Sequence, residues 1–413
     1  SQAVSMLGRQ TGPKQHQERI DLNLQLAQAY AFSGDLVRAQ EMIEQAEHLA
    51  TQLNDEERVG KIFRRAAQIF WLRGNPKAAG DYAHRTLRVA EEQQDISLLR
   101  AALRMLGRSS IALAAFDDAI AYLLRYVNLE DAPESHYHPN LLVVYGYLGV
   151  AYARVGSWER ARDAAEHGVA LAKEQGAAST IAFAMAPLAY VLAARHRWEA
   201  CAKTIEALPE MQAGTSEFTP LRFILTGLRG LVRAHLGEPA EGVVVIREAL
   251  QWVEENDYRV FHYLPRIFLA ESLSLADELT DAKNEAEDAL IAARVEGNRW
   301  AEGVTLRLLA EILSRTTKPD WLKVEEYLIE SMRILRRIRA RPDLARTYLA
   351  LRRLYDRAGQ TAWAVDCHFR ATSIFDELGM AEELRLAQGQ AAGERKGAVV
   401  ILDMDLRGPN LEE

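Results

Sequence analysis

A turn position recurs along this 413-residue chain at Gly34, Gly74, Ala114, Gly156, His196, Gly237, Asp277, Thr317 and Gly359, each 40 to 42 residues after the last. Seven residues before it, eight of the nine positions hold Ala or Gly, from Ala27 to Ala310, with Arg352 the exception. The residue before that is Leu in seven of nine. Five residues after the turn, eight of nine are again small, Cys201 among them, with Leu322 the exception. The stretch Leu148-Gly149, Tyr152, Gly156, Trp158 and Ala161 is the clearest copy. Two antiparallel helices approach to about 8–10 Å where small side chains meet. Ala permits this without the helix penalty of Gly, about 1 kcal/mol. One such hairpin cannot bury both of its apolar faces, so the copies must stack. A fixed period of this length is the mark of a solenoid.

The pattern Leu-Gly/Ala, an aromatic three residues on, a turn glycine and a small residue five later resembles the tetratricopeptide repeat. The period is longer than that family's usual one, about 34 residues. In this it is similar to the MalT-like variant found in bacterial signalling ATPases, transcription regulators and nucleotide cyclases. The match covers Arg19 to Gln388. Arg229, Arg352 and the changed turn Thr316–Trp321 depart from the pattern. The resemblance implies an all-α chain, a right-handed α-solenoid of about nine hairpins closed by a capping helix over Met380–Ala392. It also implies a binding surface on the concave side, lined by the first helix of each hairpin.

Composition agrees with an all-α chain: 12 prolines and 11 Phe in 413 residues. Residues 1–17 read as a linker, 18–393 as the solenoid, and 394–413 as a tail. In the tail, Val399–Leu402 followed by Asp403 and Asp405 resembles the opening strand of a nucleotide cyclase or phosphatase domain. Asp35 and Asn75 are expected to cap second helices, with Pro76 in a first turn. Pro187, inside a first helix, is expected to kink it. The net charge of −8 disfavours a nucleic-acid-binding body. No apolar run approaches the roughly 20 residues of a membrane span. Cys201 and Cys367 fall in different repeats and read as buried thiols in a reducing, cytoplasmic setting. The pair His136 and His138 reads as a surface loop, and no cofactor or metal is expected.

Positions 13, 10, 6, 3 and 2 residues before each turn should face the concave side. Ten are basic and four acidic, against the sign of the whole chain. Arg64, Arg104, Arg108, Arg154, Arg307 and Arg353, with Trp71 and Tyr190, are therefore the candidate groove residues. Arginine forks onto carboxylates and phosphates, so the expected partner is anionic: an acidic peptide or protein, a nucleotide, or an acidic face of the parent protein's flanking domains. The chain contains no phosphate loop, nucleophile elbow or His-Glu-x-x-His arrangement. The functional expectation is a non-catalytic sensor or scaffold arm of a bacterial multidomain signalling protein. The alternatives are a stand-alone peptide receptor of the quorum-sensing kind, or a fragment adjoining a cyclase or phosphatase domain.

Overall fold

The computed structural model describes residues 13–130, 140–208, 219–255 and 261–394. The expected strand at Val399–Leu402 with Asp403 and Asp405, and the loop of His136 and His138, lie outside the described residues. Those described form nineteen helices and no strand. They fall into two compact units, Ser1–Val144 with Asp257–Phe261, and Tyr145–Asn256 with His262–Glu413.

The first unit contains α1 (Pro13–Phe32), α2 (Leu36–Leu53), α3 (Glu56–Leu72), α4 (Pro76–Gln93), α5 (Ile96–Ala112) and α6 (Phe116–Glu130). Helix α7 (Leu141–Val155) starts at its edge. The second unit continues with α8 (Trp158–Gln175), α9 (Ala178–Ala194), α10 (Trp198–Glu206), α11 (Thr219–His235) and α12 (Pro239–Glu255). It ends with α13 (Tyr263–Leu275), α14 (Leu279–Glu296), α15 (Arg299–Leu313), α16 (Trp321–Arg337), α17 (Arg341–Arg357), α18 (Thr361–Glu377) and α19 (Ala381–Glu394). The helices pair as the expected hairpins, and α1 begins at Pro13, inside the stretch 1–17 that reads as a linker.

The corners explain the repeat. Eight of the nine turn positions have left-handed backbone: Gly34, Gly74, Ala114, Gly156, His196, Gly237, Asp277 and Gly359. At the clearest copy, Gly156 N–H donates to the Ala153 carbonyl and Ser157 N–H to the Tyr152 carbonyl at 2.9 Å. These bonds satisfy the carbonyls that a helix end leaves orphaned. The next helix is then capped from the side chain in several copies. Asp35 and Asn75 accept from backbone N–H three residues on, as expected, and so do Asp55, Asp95, Asn298 and Asp320.

The small positions are where backbones meet. A Cβ on Gly242 would lie 2.4 Å from the Gly230 carbonyl oxygen, and one on Gly149 would lie 3.1 Å from that of Ala161. Helix α9 runs on through Pro187, whose ring packs against Gly146 instead of ending the helix. Arg352, at a position the pattern reserves for a small residue, is buried and pairs with Asp356 at 2.9 Å. Arg229 is exposed.

The second unit curls back on itself. Leu378, at the end of α18, packs over Gly156. Arg195, after α9, donates to the Gly379 carbonyl at 3.1 Å, and Arg346 of α17 to the Ala194 carbonyl at 2.9 Å. The early and late corners of this unit are thus in direct contact.

Candidate functional site

Each unit presents one set of the predicted groove residues. In the first unit, α3 packs directly against α5. Arg64 and Arg104 occupy the same place in these consecutive first helices, ten residues before their turns. Arg64 is exposed and Arg104 half-buried. Neither has an ion-pair or hydrogen-bond partner among the described residues. Arg64 borders a shallow depression with Leu24, Gln28, Lys61 and Arg65. Burial and the neighbouring Arg64 charge lower the Arg65 pKa, and its guanidinium donates to Gln28 at 2.7 Å. Arg108 lies over the ring of Trp71 at 4.3 Å, and Phe261 meets the same indole edge-on at 5.7 Å. Nearby carboxylates are already engaged: Asp21 takes two bonds from Arg58 at 3.0 Å, and Glu57 pairs with Lys61. The face thus carries positive charge that its own chain leaves available.

The inner face of the second unit is different. Arg154 and Tyr190 meet there, and Arg307 pairs with a carboxylate of its own helix. Arg154 at the end of α7 lies 3.0 Å from the ring centroid of Trp300 and 4.8 Å from that of Tyr190. Only 9% of Arg154 is exposed. Burial pushes its guanidinium down to about 9, against the pull of Asp343. Trp300 Nε1 donates to Asp343 Oδ2 at 2.7 Å, and Arg346 to Oδ1 at 3.2 Å. Burial alone would raise the Asp343 carboxyl, but Arg346, Arg307, Arg154 and the Trp300 bond hold it below the usual carboxylate range. Arg307 pairs with Glu311 at 3.2 Å. Glu271 bonds His235 at 2.7 Å, which with Arg307 keeps its carboxyl low against the partial desolvation of the face. Trp198 stacks flat on His235 at 3.9 Å.

Arg353 is exposed on α17. Asp343 and Trp300 are the important residues that sequence reasoning missed. Both stand in the first turn of a first helix, outside the positions assigned to the concave side.

No protein-family model matches the chain, and no curated protein matches it in sequence. Solved structures do match in shape. A Rap protein complexed with competence and sporulation factor superposes with a TM-score of 0.60 at 11% identity, over 88% of this chain and 99% of that one. The Rap conjugation gene regulator of plasmid pLS20, in complex with the Phr* peptide, gives 0.55 at 13%, over 88% and 97%. A signal transduction ATPase with a tetratricopeptide repeat sensor from Pyrococcus horikoshii gives 0.45 at 14%, over 90% and 55%. With its forty-residue hairpins, left-handed corners and small-residue crossings, the chain has an all-α solenoid fold similar to that of the two Rap structures.

Proposed function

We propose that this chain is a non-catalytic binding and sensing module that takes an acidic peptide or protein segment on the first-helix face of its first unit. The observation that carries this reading is the pair Arg64 and Arg104. They are repeat-equivalent cations on adjacent helices with no acceptor among the described residues, whereas the matching arginine of the second unit, Arg307, is paired with Glu311. Arg108 on Trp71 extends the same face with an apolar floor. Two of the structures with this fold hold a competence and sporulation factor and a Phr* peptide. That supports a peptide or protein as the ligand class here. The binding energy would come from charge-assisted forks onto carboxylates, and would be screened by salt. Occupancy would act by shifting the population of hairpin packings, as part of a larger signalling protein or as a receptor alone.

The test is fluorescence anisotropy of a labelled Glu/Asp-rich decapeptide titrated with the full chain. Binding should weaken steadily as salt is raised from about 50 to 500 mM, a range that shortens the screening length severalfold. The double reversal R64E/R104E should weaken it at least tenfold, a loss of about 1.4 kcal/mol. Binding that ignores salt, or that survives the double reversal, overturns the reading.

A further inference from the structure

The second unit contains a buried cation with no acceptor. No hydrogen bond or ion pair to the Arg154 guanidinium exists among the described residues; its contacts are the rings of Trp300 and Tyr190. A desolvated cation–π contact offsets about 2 kcal/mol, well short of what burying an unpaired charge costs. Asp343 is the nearest compensating charge, but its two oxygens already accept from Trp300 and Arg346. Glu271 and Glu311 are likewise held, by His235 and Arg307. Two further donors of the same inner face are orphaned, the Nε of Arg307 and the Nε of Arg346, both buried without a partner. Arg346 donates to the same Asp343 carboxylate that Trp300 bonds, and Arg307 stands seven residues after Trp300, two turns along the same helix face, so both arginines border the Arg154–Trp300 contact. Solvent still reaches the face, since Glu271 and Glu311 keep about a third of their side chains exposed, 34% and 35%.

A planar guanidinium with all its N–H groups unused is matched by a planar or tetrahedral oxyanion. We propose that the second unit binds a compact oxyanion, a carboxylate or phosphate group, on Arg154 between Trp300 and Tyr190, with the unused Nε donors of Arg307 and Arg346 as its further partners. The site is separate from the acidic-segment face proposed for the first unit, and takes a small group rather than a chain. Arg346 links it to the closure of the second unit, because the same guanidinium donates to the Ala194 carbonyl. An oxyanion there completes the hydrogen bonding of a residue that holds early and late hairpins together.

The experiment is calorimetric titration and thermal melting of the full chain at pH 7. Sodium phosphate and sodium acetate are used separately as probes, with ionic strength matched by sodium chloride. The expected result is a saturable heat and a rise in melting temperature with at least one probe. Response to phosphate, to acetate, or to both supports the site and identifies its ligand class. Arg154→Met keeps the side-chain length and removes the charge; it should fold, because no hydrogen bond or ion pair among the described residues is lost with that charge, and lose the response at least tenfold. Arg154→Lys keeps the charge but not the fork, and should also lose at least tenfold. R64E/R104E should respond like the parent, which separates this site from the one on the first unit. The proposal is overturned if the parent shows no saturable response to either probe, or if the Arg154→Met chain responds equally. Should that chain fail to fold, an undiminished response in Arg154→Lys overturns it.

Discussion

The Arg154 guanidinium lies 3.0 Å from the centroid of the Trp300 ring, although one residue ends α7 and the other begins α15. The contact exists because the second unit curls until its early and late hairpins share one inner face. Trp300 serves two charges at once, its ring facing a cation and its Nε1 donating to the Asp343 carboxylate.

Trp300→Phe should therefore destabilise the chain more than the lost ring area suggests. It leaves a buried carboxylate oxygen one donor short, at a cost of about 1–3 kcal/mol. Urea unfolding followed by circular dichroism would show the midpoint falling. An unchanged midpoint would mean that Asp343 is satisfied without the indole.

Asp343 also sets an acid limit. Its folded-state pKa is depressed by Arg346, Arg307 and Arg154. The stability it contributes is thus present above its unfolded value, about 3.9, and is lost as pH falls through the lower folded value. In melting experiments the parent chain should lose stability more steeply below about pH 4 than Asp343→Asn. Parallel curves would show that Asp343 carries none of the acid sensitivity.

The crossing of α11 on α12 tolerates no added carbon. In Gly242→Ala the new Cβ would meet the Gly230 carbonyl oxygen at 2.4 Å and Ala234 at 3.1 Å. Overpacking of this kind costs about 1–3 kcal/mol, against a helix-propensity gain of roughly 1 kcal/mol. Gly389→Ala, at a helical position with nothing within 4 Å, receives the gain alone. The two should move the melting temperature in opposite directions, and a shared direction would refute the close crossing.

The closure of the second unit can be isolated by a pair of corner glycines. Gly156 and Gly176 both have left-handed backbone, at φ 86° and 78°. Replacing either with Ala costs the same conformational strain, about 1–2 kcal/mol. A Cβ on Gly156 would in addition meet Leu378 at 2.7 Å, while one on Gly176 meets nothing. Gly156→Ala should be the more destabilising, and Leu378→Ala should relieve the difference in a double-mutant cycle. Equal losses would argue against contact between these corners.

The fold was legible because its signals are local. A small residue marks a helix crossing, and a turn residue marks a corner, wherever it stands. Even Ala114, His196 and Asp277 adopt the left-handed backbone their place in the repeat demands. Thr317 does not, and it belongs to the one turn whose sequence, Thr316–Trp321, departed from the rest. The second set of corners, at Asn54, Gln94, Gly176, Gly297, Arg339 and Gly379, is marked less evenly, since only three of these six left-handed positions are glycine.

The candidate sites were half legible. Periodicity put Arg154 and Tyr190 on one face, where they meet at 4.8 Å, and it put Arg64 and Arg104 at equivalent positions of two helices that pack together. It could not supply Asp343 or Trp300, whose first-turn positions gain an inward partner only once the second unit has curled.

The amino-acid sequence by itself determined the hairpin, its forty-residue period and the order of helices, since these depend on contacts between residues near in the chain. The tertiary structure alone decided which arginines are spoken for. Ion pairing depends on which carboxylate curvature brings within about 4 Å, and the curvature accumulates from small rotations spread over many crossings, leaving no mark at any single residue.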